Sequence, residues 1–187
     1  MALDSMREIF EKAAAGQIPF WQVILETDME QRQVTAEQSM EKMRVTWQAM
    51  LESVTAYQGT ERSRSGLVGG DGEKMRQYVE NGKGLCGAYL REVVATALSV
   101  GESNACMRKI VAAPTAGACG VLPAVLVPLY QAGMVSEEQI LQALYAASGI
   151  GAVIGYRACI AGAAGGCQAE IGTASAMAAG ALTSIQG

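Results

Sequence analysis

The chain has 187 residues and a net charge of −4, and half of its residues are apolar. The apolar content excludes an intrinsically disordered chain, and the negative charge provides no basic surface for nucleic acid or anionic membranes. Aromatic residues make up 5%, beside 22 Gly and 10 Met, so the core is built from small and adaptable side chains that allow helices to approach closely.

Three amphipathic helices are predicted in the N-terminal part. Ser5-Met6-Arg7-Glu8 has capping-box spacing, and the helix that follows is expected to stop at Gly16. Pro19 fits the first turn of a second helix. A capping box at Thr35 opens a third helix, which carries apolar residues at helical spacing and is expected to end near Gly59.

The middle of the chain alternates glycine-rich breaks with shorter helices. Ser65–Gly72 is a loop by composition. A short helix is predicted to reach about Val79, with a break at Gly82–Gly84. A buried helix is predicted over Leu90–Leu98, with its end at Gly101.

The second half has fewer charges and more Gly and Ala. Pro114–Gly120 is predicted to be a turn that opens onto a helix over 121–130. A capping box at Ser136 starts the next helix. After the glycine-rich loop 162–167, a helix of small residues is expected from about Glu170 to Leu182.

These patterns predict an all-α fold: a compact multi-helix domain with buried Gly/Ala helices and glycine-rich loops. We expect one domain over 1–187, with a polar outer layer before about residue 84 and a buried layer after it. Ala158–Gly187 carries Glu170 as its sole charge, but polar residues interrupt a stretch rich in Ala and Gly. A buried helix is therefore expected there, and no membrane span.

The cysteine and histidine content limits the chemistry. The chain contains no histidine, which excludes imidazole-based zinc sites, Ser-His-Asp and Cys-His catalysis, and an imidazole base within this chain. An odd number of cysteines without a signal peptide indicates a reducing, cytoplasmic location. The five cysteines contain no Cys-x-x-Cys pair and so form no complete zinc or cluster motif: Cys86, Cys106, Cys119, Cys159 and Cys167.

Two segments have the form of a glycine-containing loop that enters a helix. Cys167 follows Gly165-Gly166 at the junction between the loop and a helix. A helix N-terminus stabilises a thiolate, which favours a functional thiol at this position. The alternative is that Cys167 is a small buried hydrophobic residue. The amides of Pro114–Gly120 are suited to a carboxylate or phosphate, although this segment lacks the P-loop and dinucleotide patterns. The alternative there is a tight structural turn, and the residues alone leave both alternatives open.

Three segments resemble the alpha part of the iron–sulfur L-serine dehydratases. Met107–Leu126 contains an Ala-Pro-Thr-Ala-Gly element, Ala161–Gly172 resembles the family's Gly-Cys-Gln-x-Glu-x-Gly element, and Ser65–Gly72 is similar to its Gly-Gly-Asp loop. The N-terminal helices are similar to the start of a separately encoded alpha subunit. The resemblance implies conversion of L-serine to pyruvate and ammonia, with a beta subunit as partner; a homo-oligomer is also compatible.

The resemblance also implies a [4Fe–4S] cluster that three cysteines hold, with one iron open to act as a Lewis acid on the serine hydroxyl. One family ligand corresponds to Cys167. The other two belong to Cys-Asp-Pro and Pro-Cys-Ile-Glu type segments that do not occur before Gly187. Cys119 and Cys159 do not match family ligand positions. We therefore expect these 187 residues alone to hold no intact cluster and to be inactive by themselves.

The same resemblance implies a proton acceptor and a binding site for the serine carboxylate, but it leaves more than one candidate for the proton acceptor. The proton acceptor is expected to be Glu170 or Lys109, or to come from the beta subunit. Glu170 lies about one helical turn after Cys167, and a structural carboxylate at the helix start is the alternative. The serine carboxylate is expected to bind to backbone amides at Thr115, Ala116, Gly117 and Ala118.

Two other functions remain open at this stage. One is a related iron–sulfur hydro-lyase with a different hydroxy substrate, and the other is a helical interaction module without a cluster. A pyridoxal-dependent dehydratase is set aside because none of the lysines lies in a recognisable cofactor context.

Overall fold

The computed structural model describes residues 3–82 and 86–187. Within these residues the regular elements are all helical, which confirms the predicted all-α fold. The α-helices are α1 Met6–Gly16, α2 Phe20–Arg32, α3 Ala36–Thr55, α4 Asp71–Glu80, α5 Ala88–Ala105, α6 Val121–Gln131, α7 Glu137–Arg157 and α8 Gly162–Gln186, and a short 3-10 turn at Ala116–Ala118 precedes α6.

Two of the three predicted capping boxes form in full, at Thr35 and Ser136, whereas the Glu8 carboxylate accepts from the Asp4 amide rather than from that of Ser5. The Ser136 hydroxyl accepts a hydrogen bond from the Gln139 amide at 3.2 Å, and the Gln139 side chain accepts one from the Ser136 amide at 2.9 Å. Thr35 and Gln38 make the same reciprocal pair at 3.2 Å and 3.0 Å. The Ser5 hydroxyl also accepts from an amide in the first turn of α1. Local sequence therefore determines where α1, α3 and α7 begin.

Three predicted helix ends are wrong, one of them in α8, which extends past Leu182 to Gln186. α5 continues through Gly101 as far as Ala105, because Gly101 keeps helical geometry and the left-handed residue after the helix is Met107, with φ 61°. α3 ends at Thr55 rather than near Gly59. A helix tolerates an internal glycine at a cost of about 1 kcal/mol, so glycine alone is a weak stop signal.

The segment before Cys167 also differs from the prediction. Residues 162–165 form a helical turn, whereas a loop is expected from the sequence, and the non-helical backbone is confined to Gly166. The predicted break after α4 is present in part, since α4 ends at Glu80 and Gly82 has φ 70°. Gly84, the other end of that predicted break, lies outside the described residues.

Contacts divide the described chain into two compact units. The first comprises residues 3–47 and 135–187, and the second comprises residues 48–82 and 86–134. The compositional change near residue 84 falls inside the second unit and coincides with neither boundary. The predicted division into a polar outer layer before it and a buried layer after it is wrong, because Ile9 and Trp47 are fully buried whereas residues 163–168 are exposed. The assignment of the whole chain to one domain stays a prediction.

The first unit packs α7 against α2 and α8 through positions that have no side chain. A Cβ atom at Gly151 would lie 2.8 Å from the Met177 sulfur, and one at Gly149 would overlap Ile24. The small residues therefore allow close helix approach, as the composition predicts. Large apolar residues fill the remaining space, among them the fully buried Ile9, Trp47 and Ile140.

The second unit is organised around α5, which contacts α4 on one side and α6 and the 3-10 turn on another. A Cβ atom at Gly72 of α4 would lie 2.8 Å from the Ser99 hydroxyl of α5. Gly120, just before α6, likewise leaves room for the backbone of α5, since its Cβ would lie 3.1 Å from the Ala97 carbonyl oxygen. Both motif-bearing loops of this unit are therefore attached to one helix.

Among the described helices, none combines the length and the apolarity that crossing a membrane requires.

Candidate functional site

In the first unit, Cys167 directly follows a break in α8. Gly166 has φ 79° and ψ 165°, a conformation that essentially only glycine adopts, and nothing lies within 4 Å of the position its Cβ would take. Backbone geometry therefore requires glycine here, whereas crowding does not. Cys167 is exposed and opens the longer helical segment of α8.

Glu170 lies one turn beyond Cys167 on the same helical segment. Its carboxylate lies beside Gly162, where a Cβ atom would be 2.6 Å from Glu170 Oε2. The helical turn 162–165 is also closely packed at Gly165. A Cβ there would lie 2.8 Å from the Ala169 methyl and 3.2 Å from the Cys159 carbonyl oxygen. Glycines therefore let this turn fold against the start of the segment that carries Cys167 and Glu170.

The donor set of the described residues does not fit a complete metal cluster. Residues 3–82 and 86–187 contain no group of three or more Cys, Asp or Glu side chains arranged to hold a metal ion. Cys167 is exposed, whereas Cys119 is buried. A cluster bound at Cys167 would need its further thiolates from outside the described residues.

In the second unit, the predicted substrate-binding turn is held from α5. Asn104 donates a hydrogen bond from its side-chain amide to the Ala116 carbonyl at 3.0 Å. Ala118 is buried while Ala116 and Gly117 are exposed. The first amides of a helical turn have no acceptor within it, and the turn begins at residues that are exposed.

Lys109 lies on the surface of the second unit, where its ammonium contacts Glu52 at 2.5 Å. Its neighbour Arg108 forms a bidentate pair with Glu61. Both acidic partners precede the Gly-Gly-Asp loop in the chain. Arg108 therefore ties the segment that leads to the Pro114–Gly120 turn to Glu61, just before that loop, and Lys109 ties it to α3.

The Gly-Gly-Asp loop rests on a buried carboxylate that the sequence analysis does not single out. Glu102 is 6% exposed and accepts hydrogen bonds from the Gly70 amide at 3.1 Å, the Asp71 amide at 2.6 Å and the Tyr57 hydroxyl at 2.5 Å. The Tyr57 oxygen in turn accepts a hydrogen bond from the Glu73 amide at 3.0 Å. Burial raises the pKa of Tyr57 to about 12, and the hydrogen bond and negative charge of Glu102 add to the effect.

A signal for Glu102 exists in the sequence. It is a lone acid within Val100-Gly101-Glu102-Ser103, at the end of a helix that is predicted to be buried, and buried acids are rare unless their charge is satisfied. That prediction is wrong for part of the helix, because Leu90, Val94 and Leu98 are exposed. Because the helix is predicted to end at Gly101, Glu102 is expected to lie outside it. Its three partners lie 31, 32 and 45 residues away in the chain, so local reasoning does not identify them.

A separate polar cavity of about 190 Å³ lies in the first unit, between α2, α3 and α7. The Ser39 hydroxyl lies 2.5 Å from Asp28 Oδ2 and 2.5 Å from the Tyr145 hydroxyl, and Arg32 pairs with Asp28 at 2.8 Å. None of the candidate site residues lines this cavity. Its hydrogen-bond chain satisfies polar groups that packing has buried.

Comparison with known proteins gives one family and several relatives. The profile described as "Serine dehydratase alpha chain" matches residues 15–187. The chain is 36% identical to the "Probable L-serine dehydratase, alpha chain" of Bacillus subtilis over 98% of this chain and 61% of that protein. It is also 36% identical to the "L-serine dehydratase, alpha chain" of Peptoniphilus asaccharolyticus, over 99% of this chain and 64% of that protein.

A shorter match, at 47% identity, covers 49% of the chain and 20% of "L-serine dehydratase TdcG" of Escherichia coli. The chain thus spans slightly less than two thirds of the length of the two alpha chains that it matches throughout. No solved structure matches the chain.

Proposed function

Because the chain belongs to the serine dehydratase alpha chain family, we propose that it takes part in the dehydration of L-serine to pyruvate and ammonia. The reaction removes the α-proton and the β-hydroxyl as water, and the resulting aminoacrylate tautomerises and takes up water to release ammonia. The observation that carries the proposal is the family match over residues 15–187, within which the exposed Cys167 follows the glycine break of α8.

Cys167 is our candidate for one thiolate ligand of a [4Fe–4S] cluster. Its exposed thiol, its place at the start of a helical segment and the resemblance of Gly166-Cys167-Gln168 to the family element support this role. When bound, such a cluster supplies a Lewis-acidic iron that makes hydroxide a better leaving group. The remaining ligands are not assigned, because the described residues offer no further set.

The Pro114–Gly120 turn is our candidate for the serine carboxylate. Ala116 and Gly117 are exposed residues at the start of a helical turn, where backbone amides suit an anion, and Thr115 and Ala118 complete the predicted subsite. The Asn104 hydrogen bond to the Ala116 carbonyl supports this role, because it helps to hold the backbone of the turn in place.

For the proton transfer we favour Glu170 over Lys109. A carboxylate one turn from Cys167 accepts a proton directly, whereas the Lys109 ammonium, paired with Glu52, has no lone pair to offer. A base from the beta subunit, which we propose as the partner, is the remaining alternative. A cytoplasmic location likewise stays a prediction from the cysteine content.

The test is pyruvate formation from L-serine by the full chain, assembled with its beta subunit and prepared without oxygen. We expect Cys167→Ala to abolish turnover and to reduce the iron content and visible absorbance of the holoenzyme. Cys159→Ala, a second exposed cysteine eight positions earlier, is the matched control and should retain iron.

Undiminished iron and turnover in Cys167→Ala would exclude the ligand role. If the wild-type holoenzyme leaves L-serine unchanged but dehydrates another β-hydroxy acid, the substrate assignment fails while the hydro-lyase class stands. A chain that binds its partner but no iron would indicate the interaction module.

A further inference from the structure

The polar cavity between α2, α3 and α7 of the first unit is small and is lined by both polar and apolar groups. Its volume of about 190 Å³ lies below that of pockets that hold drug-sized ligands, so it suits a molecule of a few heavy atoms. Ile24 and Met43 provide apolar lining, whereas Ser39 and Tyr145 provide hydroxyl groups. Both hydroxyl-bearing residues are almost fully buried, at 1% and 2% exposure. The cavity therefore has the size and the mixed lining of a site for a small polar molecule.

Asp28 lines this cavity and has one carboxylate oxygen without a donor. Its Oδ2 accepts from the Ser39 hydroxyl at 2.5 Å and from the Arg32 guanidinium at 2.8 Å. In the part of the chain that the structure describes, no group donates to Oδ1. The Ser39 proton is directed to Asp28 and the Tyr145 proton to Ser39, so these hydroxyls do not supply that donor. Because a carboxylate binds a charged donor most strongly, a ligand ammonium would complete the hydrogen bonding of Asp28.

Lys42 lines the same cavity and has the opposite requirement. Among residues 3–82 and 86–187, its ammonium forms no ion pair and no hydrogen bond, and it is not paired with Asp28. Arg32 adds further donors, because a guanidinium carries several N–H groups and only one bond to Asp28 is made here. The cavity is therefore lined by a cation without an anion and by a carboxylate oxygen without a donor.

A molecule that carries a carboxylate and an ammonium on the same carbon atom satisfies both groups at once. We propose that this cavity binds a small α-amino acid, whose ammonium binds to Asp28 and whose carboxylate binds to Lys42 and Arg32. A simple carboxylate would leave Asp28 without a donor, and a simple amine would leave Lys42 without an anion. The cavity volume favours a short side chain, as in glycine or L-alanine. None of the candidate catalytic residues lines the cavity, so binding there is separate from the proposed conversion of L-serine.

The first experiment measures the binding of small probes to the full chain by isothermal titration calorimetry. The probes are glycine, L-alanine, acetate, which carries only the carboxylate, and methylammonium, which carries only the ammonium. We expect glycine and L-alanine to bind, and acetate and methylammonium to bind at least about tenfold more weakly, because each makes only one of the charge-assisted contacts. Absence of saturable glycine binding would overturn the inference, and so would acetate or methylammonium that binds as tightly as glycine.

The second experiment repeats the glycine titration with variants. Lys42→Met removes the unpaired cation, and Asp28→Asn removes the negative charge at nearly constant size. Lys12→Met and Glu30→Gln are the matched controls, because both residues lie on helices of the same unit and outside the cavity. Asp28 is hydrogen-bonded to its neighbours whereas Lys42 is exposed, so Lys42→Met decides the matter if Asp28→Asn does not fold.

We expect both cavity variants to raise the Kd for glycine about tenfold or more, and both controls to stay within about twofold of the wild type. An unchanged Kd in either folded cavity variant would overturn the inference. An equal loss of affinity in the controls would overturn it too, because the binding would then lie elsewhere. Failure of the chain to convert L-serine would leave these expectations unchanged, so the binding site and the proposed function are tested separately.

Discussion

The Tyr57 hydroxyl donates a hydrogen bond of 2.5 Å to the buried carboxylate of Glu102. The same tyrosine oxygen accepts a hydrogen bond from the Glu73 amide, so one phenol connects α5 to the first turn of α4. The contact joins residues 45 positions apart and stabilises the neutral form of the phenol.

This contact predicts a pH dependence of stability at the alkaline end. The pKa of Tyr57 is raised to about 12 in the folded chain against 10.0 without these interactions. The unfolded chain therefore releases this proton first, so the stabilisation is complete below pH 10 and is lost as the pH rises towards 12. Denaturant unfolding across this range should show the decline.

Tyr57→Phe should flatten that decline, because the group that titrates has been removed. Tyr156→Phe, at an exposed tyrosine, is the control and should keep the wild-type dependence. Equal pH dependence in Tyr57→Phe and the wild type would contradict the assignment.

Gly72→Ala should destabilise the second unit by about 1–3 kcal/mol, because the added methyl overpacks the contact between α4 and α5. Its Cβ would lie 2.8 Å from the Ser99 hydroxyl and 3.1 Å from the Ser99 Cα. Chemical denaturation measures the effect. Gly101→Ala is the matched control on α5, since nothing lies within 4 Å of its Cβ, and it should stabilise by up to about 1 kcal/mol.

Gly166→Ala should cost about 1–3 kcal/mol through backbone strain alone, because φ 79° with ψ 165° is accessible essentially to glycine. Since Cys167 follows directly, iron retention by the holoenzyme should fall as well. Gly172→Ala, at an open position within the same helix, should be neutral or slightly stabilising and should keep its iron. Comparable losses in the two variants would show that the break in α8 has no special role.

Glu170→Gln should lower kcat for L-serine by about a hundredfold or more in the holoenzyme if the carboxylate accepts the α-proton. Lys109→Met should have a much smaller effect, and its surface pair with Glu52 should contribute less than about 1 kcal/mol to stability. Steady-state kinetics and denaturation test both. A larger loss of kcat in Lys109→Met than in Glu170→Gln would assign the proton transfer to Lys109. Wild-type rates in both variants would indicate that the partner subunit supplies the base.

Ser39→Ala should destabilise the first unit by about 1–3 kcal/mol, because the buried Tyr145 hydroxyl loses a partner. Tyr145→Phe should cost about 1 kcal/mol, since Ser39 keeps its bond to Asp28. The double variant should cost less than the sum, a coupling that a double-mutant cycle in urea measures. Strict additivity would show that this hydrogen bond contributes nothing to stability.

The starts of α3 and α7 were predictable from the sequence because their capping signals are local, whereas the start of α8 was not. Ser136 and Gln139 are three residues apart, and their reciprocal hydrogen bonds form wherever that spacing is followed by a helix. The end of α5 was not predictable in this way. Gly101 is a stop signal by residue type, but the contacts of Glu102 and Ser103, both buried, extend the helix past it.

The same distinction between local and long-range signals applies to the residues of the candidate site. The place of Cys167 after a glycine break is a short-range property, and the structure shows the break at Gly166. The support of the Gly-Gly-Asp loop depends on a carboxylate 31 residues from the amide that it binds, and the fixing of the Ala116 carbonyl depends on an asparagine 12 residues earlier. Such pairs follow from the packing of helices, which residue spacing alone does not reveal.

The way α4 begins has a consequence for the order in which the chain acquires its structure. At ten residues, α4 is too short to persist alone in water, and its N-cap residue, Gly70, offers no side chain to its first amides. The carboxylate that replaces such a cap, Glu102, is synthesised 31 residues after Asp71. We therefore expect α4 to stay unformed on the ribosome until α5 has emerged, so that the two helices appear together as one cooperative step of folding.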